Sequence, residues 1–184
     1  MEDSFVASLK SARSYGLDEF LEIIGELSQQ STKKGALDRQ IKELITLGIA
    51  LSKDCSRCIK IHTRAAVQLK ATPAEIEQVR RTHLFLEASP KNSDLWKSWK
   101  TAWLQFVLGK SDLKHHEVEL IALGIALRRQ SGKHIKLHVR NALEYGASKQ
   151  QVFEVMPIVL LMDGAPALSQ IPKLIQALEM EIQK

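Results

Sequence analysis

Glu43-Leu44-Ile45-Thr46-Leu47-Gly48-Ile49-Ala50-Leu51 returns 76 residues later (119 minus 43) as Glu119-Leu120-Ile121-Ala122-Leu123-Gly124-Ile125-Ala126-Leu127, with only Thr46 changed, to Ala122. The match runs on without a gap: Ile59-Lys60 falls on Ile135-Lys136, His62 on His138, Arg64 on Arg140, Ala66 on Ala142 and Ala71 on Ala147. A fixed period of this kind marks an internal duplication whose two halves fold as the same unit. That unit reads as helical, because Ile41, Leu44, Ile45, Leu47, Gly48 and Leu51 recur at steps of three and four, as do Cys58, Ile61, His62, Ala65, Ala66 and Leu69.

Working outward, the same pattern predicts helices over 3–14, 17–29, 37–52, 55–70, 73–87, 95–108, 113–129, 132–145, 149–163 and 166–182. Thr72-Pro73-Ala74-Glu75 spells a capping box with proline at the first helical position, and its repeat mate Ser148-Lys149-Gln150-Gln151 spells a second. No stretch reads as a strand, so the expected fold class is all-α: one domain over 1–184 built from two repeats, about 38–79 and about 114–155. Gly48 and Gly124 fall inside helices at a cost of about 1 kcal/mol each relative to alanine, which points to close helix packing. Trp96, Trp99 and Trp103, with Phe106, are spaced to share one helix face and form a packing stripe, either core or subunit interface.

Composition excludes several classes. With 184 residues, 45% hydrophobic and 26% charged, the chain can bury a full core and is not disordered. The longest apolar run, Val155 to Met162, is far short of the roughly 20 residues of a membrane span and contains Pro157. The opening Met1-Glu2-Asp3-Ser4-Phe5 lacks a signal-peptide pattern, so a cytoplasmic protein is expected. The net charge of +5 comes from short basic pairs (Lys33-Lys34, Arg80-Arg81, Arg128-Arg129) scattered among carboxylates, which reads as a solvated surface and not as a nucleic-acid face.

Both cysteines of the chain lie in the first repeat, as Cys55-Ser56-Arg57-Cys58. Two thiols at this spacing can close a disulfide within one turn and exchange electrons with a partner. Asp54 is placed to cap a helix beginning at Cys55, whose positive end, together with Arg57, favours a thiolate. His62 is four residues beyond Cys58 and shares its face, so its ring can take the thiol proton. If the chain reverses near Lys53-Asp54, Glu43 and His62 lie within about one helical turn of each other in height, and the carboxylate can orient the imidazole. Glu43, Cys55, Cys58 and His62 then form a proton relay ending on a dithiol. Cys-x2-Cys-x3-His also offers three zinc ligands, but no fourth stands near, so neither metal nor cofactor is expected. In the second repeat Ser131 replaces Cys55 and His134 replaces Cys58. His134, His138 and Glu119 could in principle ligate a metal, with His115 and His116 nearby; a degenerate repeat kept for folding is the expectation.

The Glu43-x11-Cys55-x2-Cys58-x3-His62 pattern resembles the AhpD-like alkylhydroperoxidase branch of the carboxymuconolactone decarboxylase family, strongly over about 38–79 and more weakly over about 114–155. The resemblance implies a hydroperoxide substrate, an external dithiol or disulfide-reductase electron donor, and a homo-oligomer, trimer or hexamer. It assigns Cys58 as the peroxidatic thiol that becomes the sulfenic acid, Cys55 as the resolving thiol, and Glu43 and His62 as the proton relay. Where those proteins carry a histidine just before the second cysteine, this chain carries Arg57. A lactone decarboxylase like the family's namesake, which does not rely on the cysteine pair, and a non-enzymatic redox-sensing helical module are the other readings.

Overall fold

The computed structural model describes residues 4–91 and 94–181. Its elements are α1 (Ser4–Ala12), α2 (Asp18–Thr32), α3 (Arg39–Ser52), α4 (Ser56–Gln68), α5 (Pro73–Glu87), α6 (Trp96–Ala102), α7 (His115–Arg128), α8 (Gly132–Glu144), α9 (Lys149–Phe153), α10 (Val155–Asp163), α11 (Ala165–Leu168) and α12 (Ile171–Met180). Wide π-helical turns at Arg13–Leu17 and Trp103–Leu108 link α1 to α2 and extend α6. The fold is all-α with an internal duplication, and no strand occurs among the described residues. The expected helix ends at Asp3 and Ile182 lie outside the described residues.

Two long predicted helices are broken by proline. Pro157 has no N–H to offer Phe153, and Pro172 none to offer Leu168; α9 and α11 end at those two residues. Both capping boxes form, with Glu75 N–H donating to Thr72 Oγ1 and Gln151 N–H to Ser148 Oγ, each at 3.1 Å.

At the centre α3 crosses α7. A Cβ on Gly48 would stand 3.1 Å from Ile121 Cγ2, and one on Gly124 would stand 2.9 Å from Ile45 Cγ2. Ile45 and Ile121 are repeat mates, so the contact is reciprocal, as in a two-fold interface. The glycines let two helix backbones approach closely, as their position in the sequence implied. Helix α4 packs on α3, and α8 packs on α7 in the same way.

The tight turns repeat too. Asp54 and its mate Gln130 both have left-handed backbone (φ 51° and 55°), as do Lys70 and Gly146 (φ 73° and 96°). Asp54 therefore closes α3, its N–H donating to Leu51 O at 3.0 Å, and does not cap α4. Cys55 is the cap: its Sγ accepts from Cys58 N–H at 3.3 Å, and the helix begins at Ser56. The sequence placed that cap one residue early, because an αL aspartate ending one helix looks like an N-cap opening the next.

The tryptophan stripe is core, and it covers the chain's own second repeat. Trp99 and Trp103 are buried. Phe106 leaves the stripe and is 45% exposed, with Val107 and Leu108 buried instead. The π-helical turn beginning at Trp103 takes up an extra residue and shifts the face that an unbroken α-helix would present.

Candidate functional site

The four residues singled out in the first repeat are brought together at the α3–α4 hairpin. Cys55 and Cys58 are joined as a disulfide, with Cα atoms 5.3 Å apart, at the cap and first turn of α4. One to two turns along, His62 Nδ1 meets Glu43 Oε2 at 2.8 Å, the carboxylate reaching across from α3. The hairpin turn over 53–55 sets the two helices side by side, which fixes that meeting. Both side chains are mostly shielded, at 17% exposure for His62 and 10% for Glu43. An imidazole that donates through Nδ1 to a carboxylate keeps Nε2 free as a base. Arg57, between the cysteines, lays its guanidinium 3.8 Å from the centre of the Phe5 ring.

The second repeat carries a parallel chain of groups at the mated positions, and it is sealed. His138 Nδ1 meets Glu119 Oε2 at 2.5 Å, with both side chains at 0% exposure. The other carboxylate oxygen accepts from Trp103 Nε1–H at 2.9 Å and Asn141 Nδ2 at 3.2 Å. His138 Nε2 in turn faces His134 Nδ1 at 3.3 Å. Trp96 and Trp99 pack edge-on against His134 with ring centres 4.9 and 5.1 Å away, and Trp103 lies against His138 at 5.0 Å. Burial first, then the neighbouring His138, pushes the His134 pKa down to about 3, so this ring is neutral throughout the physiological range. Among the described residues no three His, Cys, Asp or Glu side chains form a group able to hold a metal ion.

Sequence reasoning missed that Trp103 and Asn141 hold Glu119. A signal was present: their repeat mates are Leu27 and Ala65, which cannot donate hydrogen bonds, so the second repeat carries two extra donors just where its glutamate sits. Trp103 reaches Glu119 only through the packing of α6 against α7 and α8, a long-range contact that spacing along one helix does not reveal.

A third polar cluster pins the segment before α3. Glu154 accepts from Ala36 N–H at 2.7 Å and Leu37 N–H at 3.0 Å, and Lys42 Nζ lies 3.2 Å from it while donating to Lys33 O at 2.6 Å. Burial alone would raise the Glu154 pKa, but those two N–H groups and Lys42 outweigh it and hold the pKa below the usual carboxylate range. A Cβ on Gly35 would press on this carboxylate, so a side chain there would push Glu154 off its hydrogen bonds to Ala36 and Leu37.

No described helix is long and apolar enough to cross a membrane. An uncharacterized protein of Cupriavidus necator is 30% identical to this chain over 60 residues, which is 33% of this chain and 53% of the relative. The match thus spans about half of the relative's own length. The model of the carboxymuconolactone decarboxylase family, a family that includes enzymes, matches twice in succession, over residues 18–100 and 97–177. With the duplicated all-helical fold and the paired Glu–His sites, these matches establish that the chain belongs to the carboxymuconolactone decarboxylase family.

Proposed function

We propose that the chain is a thiol peroxidase that reduces organic hydroperoxides with the Cys55–Cys58 pair. The observation that carries the reading is the junction of a closing dithiol and a carboxylate-held imidazole on one helix: Cys58 in the first turn of α4, and His62, engaged by Glu43 at 2.8 Å, in the next.

In the reduced protein His62 Nε2 takes the Cys58 proton. The second repeat supports this geometry, since there the mated ring nitrogen, His138 Nε2, faces the mate of Cys58. The thiolate attacks one peroxide oxygen and the O–O bond breaks. The sulfur becomes a sulfenic acid, and the alkoxide leaves as an alcohol with the proton His62 had taken. The Cys55 thiol then attacks the sulfenic sulfur and releases water, giving the Cys55–Cys58 disulfide. An external dithiol supplies two electrons and two protons to reopen it. Cys55 suits the resolving role, because as the helix cap its sulfur accepts the Cys58 backbone N–H and lies against its partner. His62, one turn beyond Cys58 and about two beyond Cys55, gives only Cys58 a direct base.

The test is to add cumene hydroperoxide to the reduced protein and follow free thiols. Rapid loss of two thiols per chain, matched by cumyl alcohol, supports a peroxidase. Slow loss, with efficient reduction of the disulfide by dithiols, would replace it with a disulfide reductase or a redox sensor.

A further inference from the structure

The 76-residue offset extends beyond the matching sequence into helices with no obvious similarity. Asp18 falls on Asp94, Phe20 on Trp96, Ile23 on Trp99 and Leu27 on Trp103. Helix α2 is therefore the repeat mate of α6, and its apolar stripe is the mate of the tryptophan stripe. The six residues between α2 and α3 (33–38) also match in number those between the π-helical extension of α6 and α7 (109–114).

The two stripes end in opposite surroundings. The tryptophans lie over α8 and seal its two histidines together with Glu119 of α7. The α2 stripe is left largely open instead: Phe20 is 66% exposed and Ile23 59%. Helix α2 instead packs on α10, and residues 33–38 are held to that course by Glu154 and Lys42.

What the stripe fails to cover is correspondingly open. A groove of about 320 Å³ runs along α4, lined by Arg57, Lys60, Ile61, Arg64, Ala65 and Gln68. At 100° per residue these six positions span one face, and Cys58 lies 20° beyond Ala65 at its edge. On α8 the mated strip of Leu137, Arg140, Asn141 and Glu144 has Trp103 and Leu104 as its facing wall. On α4 the six residues that line the groove all belong to α4 itself, and Phe5 of α1 lies against Arg57 at one end. Ile61 is left 48% exposed, and His62 and Glu43 keep the partial exposure that His138 and Glu119 have lost.

We propose that the α2 stripe of a second copy of this chain seats in the α4 groove, covering the Cys55–Cys58 dithiol as α6 covers His134 and His138. A second copy fits better than α2 of the same chain, whose course is fixed by Glu154, Lys42 and the packing on α10. Each chain then offers one stripe and one groove, so copies pair reciprocally or close a ring. The charges agree as well. Lys133 Nζ lies 3.5 Å from the centre of the Trp96 ring, and its mate is Arg57, which would take Phe20 of the second copy in the same way. Phe5 now lies under Arg57 and is 44% exposed, so Phe20 of the second copy would take its place on the guanidinium. The inference goes beyond the peroxidase reading and stands whether or not peroxide is the oxidant.

The experiment uses the full chain, reduced, with Phe20→Glu/Ile23→Glu, two exposed positions whose change leaves the fold intact by circular dichroism. Light scattering should give the wild type a mass of two or more chains at micromolar concentration and the double variant a mass of one. Alkylation of Cys58 by iodoacetamide, followed by mass spectrometry, should quicken about tenfold in the variant if the cover is closed nine-tenths of the time. Excess Cys58→Ser chains, which keep a sound stripe, should slow it again. A wild type of one chain, or a double variant that keeps wild-type mass and alkylation rate, overturns the proposal. Faster alkylation that added Cys58→Ser chains do not slow would show that α2 closes over its own chain, and also overturns it.

Discussion

Glu43 and His62 in the first repeat, and Glu119 and His138 in the second, hold the same stations on paired helices and meet at 2.8 and 2.5 Å. What differs is their surroundings. The first pair stands beside two cysteines under a partly open surface, whereas the second stands beside His134 under three tryptophans. A carboxylate–imidazole contact that persists where no thiol remains is a consequence of the hairpin frame. The pair alone is therefore weak evidence of chemistry, and the cysteines and the open face are what set the first repeat apart.

The comparison is tested most strongly by removing each carboxylate. Glu119→Ala leaves the Trp103 indole, Asn141 and His138 without their buried acceptor, and should lower stability by about 3–5 kcal/mol. Glu43→Ala, where His62 is the partner and solvent is near, should cost no more than about 1–2 kcal/mol. Urea unfolding of both variants measures the contrast. Equal losses would mean that the first site is as much a structural element as the second.

The reverse ordering should hold for the thiols. His62→Ala should slow the reaction of Cys58 with peroxide by about a hundredfold, the low end for losing a positioned base, and raise the apparent thiol pKa seen in a pH series of alkylation rates. His138→Ala, in the repeat that has no thiol, should leave that rate within a few fold once the fold is confirmed. Dimedone should trap Cys58 in Cys55→Ser, and Cys58→Ser should react at least about tenfold more slowly than wild type. Labelling of Cys55 in Cys58→Ser at the wild-type rate would exchange the attacking and resolving roles.

How far these sites could be read in advance follows from which contacts are local. The duplication, the all-helical class and the meeting of Glu43 with His62 rest on periodicity and on a single hairpin and were legible in the sequence, whereas the breaks before Pro157 and Pro172 were not expected. The cap at Cys55 was not, because the αL conformation of Asp54 depends on how α3 ends. The departure of Phe106 was hidden by a π-helical turn that no spacing announces. The sealed second site depends on α6 folding back on α7 and α8, and the open course of α2 depends on a distant glutamate, Glu154, gripping residues 36 and 37. The same stripe at the same offset thus reached two different places, and local pattern could not tell them apart.

The α3–α7 crossing offers a smaller test of the shared frame. Gly124→Ala sets a methyl 2.9 Å from the β-branched Ile45, and the crowding of about 1–3 kcal/mol is only partly offset by the roughly 1 kcal/mol that alanine gains in a helix. Gly48→Ala, with 3.1 Å to Ile121, should cost less. Urea midpoints should therefore fall in the order wild type, Gly48→Ala, Gly124→Ala. An increase in both would mean that the helices separate without penalty and that the reciprocal crossing does not hold the repeats together.

The last difference is one of protons. Cys58 in the open repeat corresponds to His134 in the sealed one, and burial holds the His134 pKa near 3 against 6.5 for an unperturbed ring. Above pH 6.5 the ring is neutral in both the folded and the unfolded chain, so it adds no pH dependence there. As the pH falls below 6.5 the unfolded chain binds a proton that the native ring refuses, and stability drains away until about pH 3, with a slope approaching 1.4 kcal/mol per pH unit. Between pH 6 and pH 5 wild type should thus lose about 1 kcal/mol more than His134→Leu, measured by urea unfolding at each pH. The slope is the readout, since the variant also deprives His138 of a neighbour and its absolute stability will differ. Carboxylates and His83 titrate alike in both proteins and cancel in the comparison. Parallel slopes would mean that His134 takes up a proton in the native state, and that the tryptophan cover admits water to the second repeat much as the first repeat already does.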